Sequence, residues 1–494
     1  MRKHLGNVPW AFAAVLFFVA GCSHAVFPTG GNGGNGTSPV ILSFHDTPPS
    51  GVTITSFEVT ITGAVLQPGN VSLLATPQTI ELTQLQTNSV VLSTTKVPPA
   101  TYTSLQITYA NPQFTFLNDS GVPVTVGGQT CNAGASCVVT TPTATTLTNT
   151  LSATSVPPFQ SLTVSSTNQT LLEFDVNLNN IIQPNFSLDF SKSGAVSVSQ
   201  SANSSGTTTT IGTMNVIGQV GSVTTTQFQL TASTGQTLTI AANSNTLFEF
   251  ARASCTNNNF TCVATGQIVD ANINVLSDGT LAATEVDFDD SLNTQQVSGT
   301  IVSETGTPPT SFQMVVHNTV PAVASLPPGT PVTVTIGNTT SFVINNGLFV
   351  LPASVTFATT SDLLVGQEVE VRVASGTSIS NSAFTTDRLA LEPSQFPAAI
   401  SSINPGNLSF FVNNLSPLFT QAPSGSITQI QVFTSTSTPS QTQFQTLPTG
   451  AFADLTSATP NNVVFVGGFL FNTIGATGSP SLAVEIVRTP IPGT

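Results

Sequence analysis

Residues 40–85, VILSFHDTPPSGVTITSFEVTITGAVLQPGNVSLLATPQTIELTQL, decide the fold class. VILSF, TSFEVTITGAVL, VSLLA and TIELTQL each alternate or run apolar, and TPPSG, QPGN and TPQ separate them. Period-two alternation rich in Val, Ile, Thr and Phe, bounded by Pro/Gly turns, is the pattern of strands. The same kind of text continues through the chain. TQLQTNSVVLS, residues 83–93, comes nearest to a helical period and allows a single turn. Elsewhere Pro, Gly or β-branched residues interrupt every window of a dozen residues, so the protein is expected to be all-β. At 494 residues it exceeds one core and suits roughly three to five domains. Only 6 % of residues are charged against 39 % apolar, so Thr, Ser, Asn and Gln must supply the polar surface.

The organisation follows from turns and composition. Residues 39–198 are expected to form a β-sandwich, and the polar run SQSANSSGTTTT, within 199–210, reads as a linker. Beyond it a pattern recurs about every 90 residues, which suits successive small domains rather than the short rungs of a β-helix. The units are 211–292, 293–394 and a more divergent 395–494. They open with VIGQVGSVTTTQFQL, VSGTIVSETGTPPTSFQMVV and AAISSINPGNLSFFV, hairpins that carry Phe228, Phe312 and Phe410. They close with LAATEVDF, TTDRLAL and LAVEIVR.

Three segments in order, SFHDTPPSGVTITSFEVTITGAVL, VPPATYTSLQITYA and LLEFDVNLNNIIQPNFSLDF, resemble the bacterial lipoprotein family known as domain of unknown function forty-three eighty-two. The match departs from the family at His45-Asp46-Thr47-Pro48, where Thr-Asp-Ala-Pro is usual, and lacks the glycine before Thr101-Tyr102. The resemblance implies a β-sandwich on a cell surface and no known activity. The later units resemble a second uncharacterised family, domain of unknown function fifty-six sixty-six, whose members look like small OB-like barrels of about five strands. OB-like barrels often bind oligosaccharides or single-stranded nucleic acid.

The N-terminus adds an address. Arg2 and Lys3 precede an apolar run from Trp10 to Ala20, too short to span a bilayer as a stop-transfer helix. The run ends in Val19-Ala20-Gly21-Cys22, which resembles the lipobox of bacterial lipoproteins. The resemblance implies removal of residues 1–21, a lipid on Cys22, and a flexible tether over residues 22–38. Ser23 is not the Asp of an inner-membrane retention signal, so the expected location is the cell envelope, at the outer membrane. Losing Arg2 and Lys3 leaves 6 basic and 22 acidic residues, 6 − 22 = −16, a charge that repels phosphate backbones. Arg252, Arg372, Arg388 and Arg488 are too scattered to make a basic stripe, so nucleic acid is excluded as a partner.

The remaining cysteines form two local pairs, Cys131/Cys137 and Cys255/Cys262, read as disulfides of an exported protein rather than zinc ligands. Candidate chemistry is thin. His45 beside Asp46 and the isolated His317 are the only histidines in folded text, and no G-x-S-x-G occurs. Asp287, Asp289 and Asp290 are the densest acidic group and the one candidate for calcium, although no EF-hand loop surrounds them. Glu173 and Asp175 read as a solvated strand face. Tyr102 and Tyr109, seven apart, are expected on opposite faces, one in the core and one as a hydrogen-bonded corner.

No cofactor is expected. A non-enzymatic, lipid-anchored protein for surface interaction or adhesion heads the functional readings. The alternatives are a glycan-binding module and a surface hydrolase with its site at a domain junction. Its partners would be the membrane, through the lipid, and a glycan or an envelope protein.

Overall fold

The computed structural model describes residues 38–489, apart from 48–52, 88–89, 141, 166–167, 205–209, 233–235, 250–256, 277, 291–293, 348, 354, 381, 421–425, 438–440, 457–461 and 473–479. The proposed signal, Cys22, nearly all of the tether, Arg252 and Cys255 lie outside the described residues, as do the side chains of His45, Asp46, Asp289 and Asp290. The α-helices among the described residues are pieces of four or five residues, Leu178–Ile181, Pro417–Thr420 and Phe452–Thr456, so the protein is all-β. Among the described residues no helix is long and apolar enough to cross a membrane.

The first domain is a sandwich of two sheets. One has the order Val196–Ser204, Asn168–Asn177, Ser38–Thr47, Val90–Val97, with the two central strands parallel. The other is built on the long antiparallel pair Thr53–Gln67 and Ser104–Leu117. Alternation along Ser38–Thr47 places Val40, Leu42 and Phe44 in the space between the sheets, where Phe44 stacks on Phe174 at 4.8 Å. Ile41 points the other way, yet it is also fully buried, because the first barrel covers that face.

Three five-stranded barrels follow, and all close by one rule. In the second barrel the order is Gln296–Gly306, Pro309–Val320, Pro331–Ile344, Ala383–Glu392, Glu368–Val373 and back to the first. Numbered along the chain, this is 1-2-3-5-4, with strands 3 and 5 parallel. The first barrel repeats it with strand 3 split into Thr237–Ala241 and Leu247–Glu249. The third repeats it with strand 3 split into Ile430–Phe433 and Gln443–Gln445. The divergent last unit is thus a barrel like the others. Phe228, Phe312 and Phe410 occupy equivalent buried positions.

A shared turn feeds strand 4 in the first two barrels. After a 3-10 turn comes Gly266-Gln267 in one and Gly366-Gln367 in the other. The Gln267 Oε1 accepts from the Ala264 N–H at 2.7 Å, and the Gln367 Oε1 accepts from the Leu364 N–H at 2.8 Å. Both glycines have positive φ, +87° and +91°, which a side chain would strain.

Several expectations need correction. The segment 199–210 is not a free linker, because Ser199–Ser204 lie in the strand Val196–Ser204 and the first barrel begins at Thr210. The domains are not independent either. Ile41, Val91 and Leu171 of the sandwich share a core with the first barrel, and Leu117 joins the continuous core of barrels two and three. Tyr102 and Tyr109 do not face opposite ways, since a break at Thr103 resets the alternation and both enter one core. Their split into a corner and a core residue holds. The Tyr102 hydroxyl donates to Pro98 O at 2.9 Å, and Tyr109 stacks on Phe190 at 4.2 Å. Asp175 is not solvated. It is fully buried against Arg488 of the third barrel, at 3.8 Å.

Candidate functional site: an acidic chamber between the barrels

Alternation in the barrel strands decides which side chains meet. In the first barrel Ala271, Ile273 and Val286 fill the interior, so Asp270, Asn272, Glu285 and Asp287 point outward. In the second, Val369 and Leu391 turn in, and the neighbouring Glu368 and Glu392, directly opposite each other, turn out. In the third, Val484 turns in and Glu485 turns out. The three barrels present these outer faces of strands 4 and 5 to one another. The sandwich closes the junction with Thr79–Glu81, Gln84 and Thr87.

The junction holds a partly open cavity of about 630 Å³, within the roughly 300–1,000 Å³ of small-ligand sites. Seven carboxylates line it: Glu81, Asp270, Glu285, Asp287, Glu368, Glu392 and Glu485. Eleven Asn and Gln residues join them, among them Asn215, Asn272, Asn318, Asn346 and Gln395. Among the described residues no Lys or Arg does. Phe349 and Phe469, with ring centroids 6.1 Å apart, give the wall an apolar patch.

The carboxylates form two groups. On the sandwich side His317, 6 % exposed, sits among them. Its Nε2–H donates to Thr55 O at 2.8 Å, and its Nδ1 lies 3.0 Å from a Glu368 carboxylate oxygen. Burial alone would lower the imidazole, but the Glu368 and Glu81 carboxylates and the Thr55 carbonyl outweigh it and lift it to about 9. His317 is therefore an imidazolium at neutral pH, tying the second barrel to the sandwich.

On the far side, Asp270, Glu285 and Glu485 crowd together from two barrels. Burial first, then the neighbouring Glu285 and Asp270, push Glu485 up to about 8. Burial likewise raises Asp270 to about 7, the Asn215 amide partly offsets this at 2.5 Å, and Glu285 adds to it. Gly347, at φ +47°, lies so close that a Cβ there would come within 2.7 Å of both Glu285 and Asp287 oxygens.

The sequence-derived residues fare unevenly. Cys131 and Cys137 are disulfide-bonded. Cys262 is disulfide-bonded as well, but its expected partner Cys255 is not described. For the calcium candidate, the structure joins Asp287 to Glu285 and Glu249, with one carboxylate oxygen of each within 4.8 Å of the others. Oxygen donors of this kind suit a hard cation such as calcium. Three arginines expected only to be scattered each face a carboxylate: Arg372 with Asp387, Arg388 with Glu370 and Arg488 with Asp175. Sequence reasoning missed Glu81, Asp270, Glu285, Glu368, Glu392 and Glu485. Apart from Glu81, their signal was present as acids on the outer face of strand 5 in every unit and of strand 4 in the first two.

No family model matches the chain, and no curated protein matches it. The resemblances to the two uncharacterised families therefore rest on the quoted motifs.

Proposed function

We propose that this protein is a lipid-anchored, non-enzymatic binding protein of the bacterial cell envelope, whose ligand is a glycan held in the chamber between the three barrels. The observation that carries this reading is the wall of the chamber. Asn and Gln side chains each offer both donors and an acceptor, and carboxylates accept, which is what a polyhydroxylated molecule needs on several sides at once. Phe349 adds a half-buried ring against which a sugar face can pack. Among the described residues the buried Asn318 Oδ1 in this wall has no hydrogen-bond partner, an acceptor that a ligand hydroxyl would satisfy. The barrels and the sandwich pack around a common centre rather than string out, which favours a receptor over an extended adhesive stalk. The lipobox-like Val19-Ala20-Gly21-Cys22 and the Gly/Asn-rich tether supply the anchor in this reading.

The test is a glycan-binding screen on the full chain carrying Cys22→Ala, with hydrogen exchange on each hit. Binding that protects the strands around Asn272 and Asn318 is the expected result. Absence of any glycan binding, or protection confined to the outer surface, overturns the reading.

A further inference from the structure

We propose that the protein is a two-lobed clamp. The sandwich and the first barrel form one lobe, barrels two and three form the other, and the chamber is the cleft that opens and closes as one lobe rotates against the other. This goes beyond the glycan reading and does not rest on it.

Continuity of the apolar cores is the first argument. Ile41, Val91 and Leu171 of the sandwich lie in the same core as Phe228 and Ile240 of the first barrel. Barrels two and three likewise share one core, and Phe349 of the second meets Phe469 of the third at 6.1 Å. Between these two bodies apolar continuity nearly stops. Among the described residues, Leu117 is the one buried apolar side chain of the first lobe that enters the core of the second. The lobes also follow chain order. One ends with the strand closing at Asp290 and the other begins with the strand opening at Gln296, so the chain passes between them once.

The polar character of the seam is the second argument. Towards the second barrel, the His317 Nε2–H donates to Thr55 O at 2.8 Å, and the Thr115 hydroxyl donates to Gly329 O at 2.6 Å. Towards the third, the Gln395 Oε1 accepts from the Thr87 N–H at 2.9 Å, and Asp175 faces Arg488. Such groups exchange a protein partner for water at small net cost, whereas parting an apolar core costs free energy in proportion to the area exposed. Separation also returns Asp175 and Arg488 to water, which offsets part of the lost attraction. The molecule therefore parts along this seam before either lobe divides. Relative motion is the ordinary behaviour of domains whose interface is not extensively apolar.

The chamber lies on that seam. Its wall takes Glu81, Asp270 and Asn272 from the first lobe and His317, Asn318 and Phe349 from the second. Rotation widens the cleft without breaking any strand pairing, and a ligand that touches both walls holds it shut, as in hinged two-domain closure.

The experiment measures thiol reactivity in the full chain with Cys22→Ala, using a maleimide carried on polyethylene glycol and site-resolved peptide mass spectrometry. Ser298→Cys reports from the chamber wall of the second lobe, and Val91→Cys from the core shared within the first. Ser298→Cys should react at least ten-fold faster than Val91→Cys. Thr87→Cys with Gly467→Cys staples the lobes, because a Cβ on Gly467 would lie 3.1 Å from that of Thr87. Once oxidised, the staple should slow Ser298→Cys at least ten-fold. His317→Gln weakens the seam and needs no staple; it should speed Ser298→Cys at least three-fold and leave Val91→Cys unchanged. Equal rates at the two thiols overturn the proposal, since the molecule then opens only by unfolding as a whole. An unaltered Ser298→Cys rate with the oxidised staple, or with His317→Gln, overturns it as well, because the reagent then enters a rigid chamber through its mouth.

Discussion

Asp175→Asn removes one charge from a pair that joins the sandwich to the third barrel. Asp175 is 0 % and Arg488 1 % exposed, their charged atoms are 3.8 Å apart, and the guanidinium also lies 5.0 Å over the Phe465 ring. At an effective dielectric near 20, two unit charges at that separation interact by about 4 kcal/mol. Removing one partner from a buried pair typically costs roughly 3–5 kcal/mol, because the other charge stays buried. The expected loss is therefore roughly 3–5 kcal/mol, between two and four orders of magnitude in the folded-to-unfolded ratio. Urea unfolding followed by circular dichroism measures it. Hydrogen exchange in Asn168–Asn177 and Ser481–Arg488 should rise together, since the pair bridges those strands. The double variant Asp175→Leu with Arg488→Met should recover most of the loss, as apolar replacement of a buried pair often does. A loss under about 1 kcal/mol for Asp175→Asn would refute the reasoning, and so would a double variant as unstable as the single.

Stability should fall as pH rises. Asp270 and Glu485, raised to about 7 and about 8, contribute fully below the ordinary carboxyl range and lose their contribution as pH rises through those values, so Asp270→Asn with Glu485→Gln should flatten thermal melts between about pH 4 and 8. His317, raised to about 9, contributes fully below about pH 6.5 and loses it through pH 9, a slope that His317→Gln should abolish. Gly366→Ala puts a Cβ at 2.3 Å from the Phe419 ring and should cost roughly 2–4 kcal/mol in urea titration, whereas Gly376→Ala, with a similar positive φ but open space, should cost only about 1 kcal/mol. Cys131→Ser opens a ring of about seven residues and should cost roughly 2 kcal/mol, and non-reducing peptide mapping should recover Cys131–Cys137 and Cys255–Cys262. Cys22→Ala should abolish lipid labelling, and an unmodified N-terminus elsewhere in the wild-type protein would argue against the anchor.

The strands were legible because alternation is local. TSFEVTITGAVL alternates so as to turn one face inward, and Phe57, Val59, Ile61, Ala64 and Leu66 of that stretch are buried in one core. The corner at Tyr102 and the short Cys131/Cys137 loop are local too, and both were legible for the same reason. What alternation cannot state is what lies against a strand's other face. By alternation alone Glu285, Glu368 and Glu485 point outward, and outward they are. Tertiary packing then turned those outer faces toward one another, and outward became the wall of a chamber. Asp175 was misread in the same way, buried by a domain more than 150 residues away in sequence, and Ile41 is covered likewise. Sequence alone determined the strands, the repeated barrels and the acids they carry outward. Only the packing of four domains around one point decided that those acids would meet, because that depends on contacts far apart in the chain and not on the period of any strand.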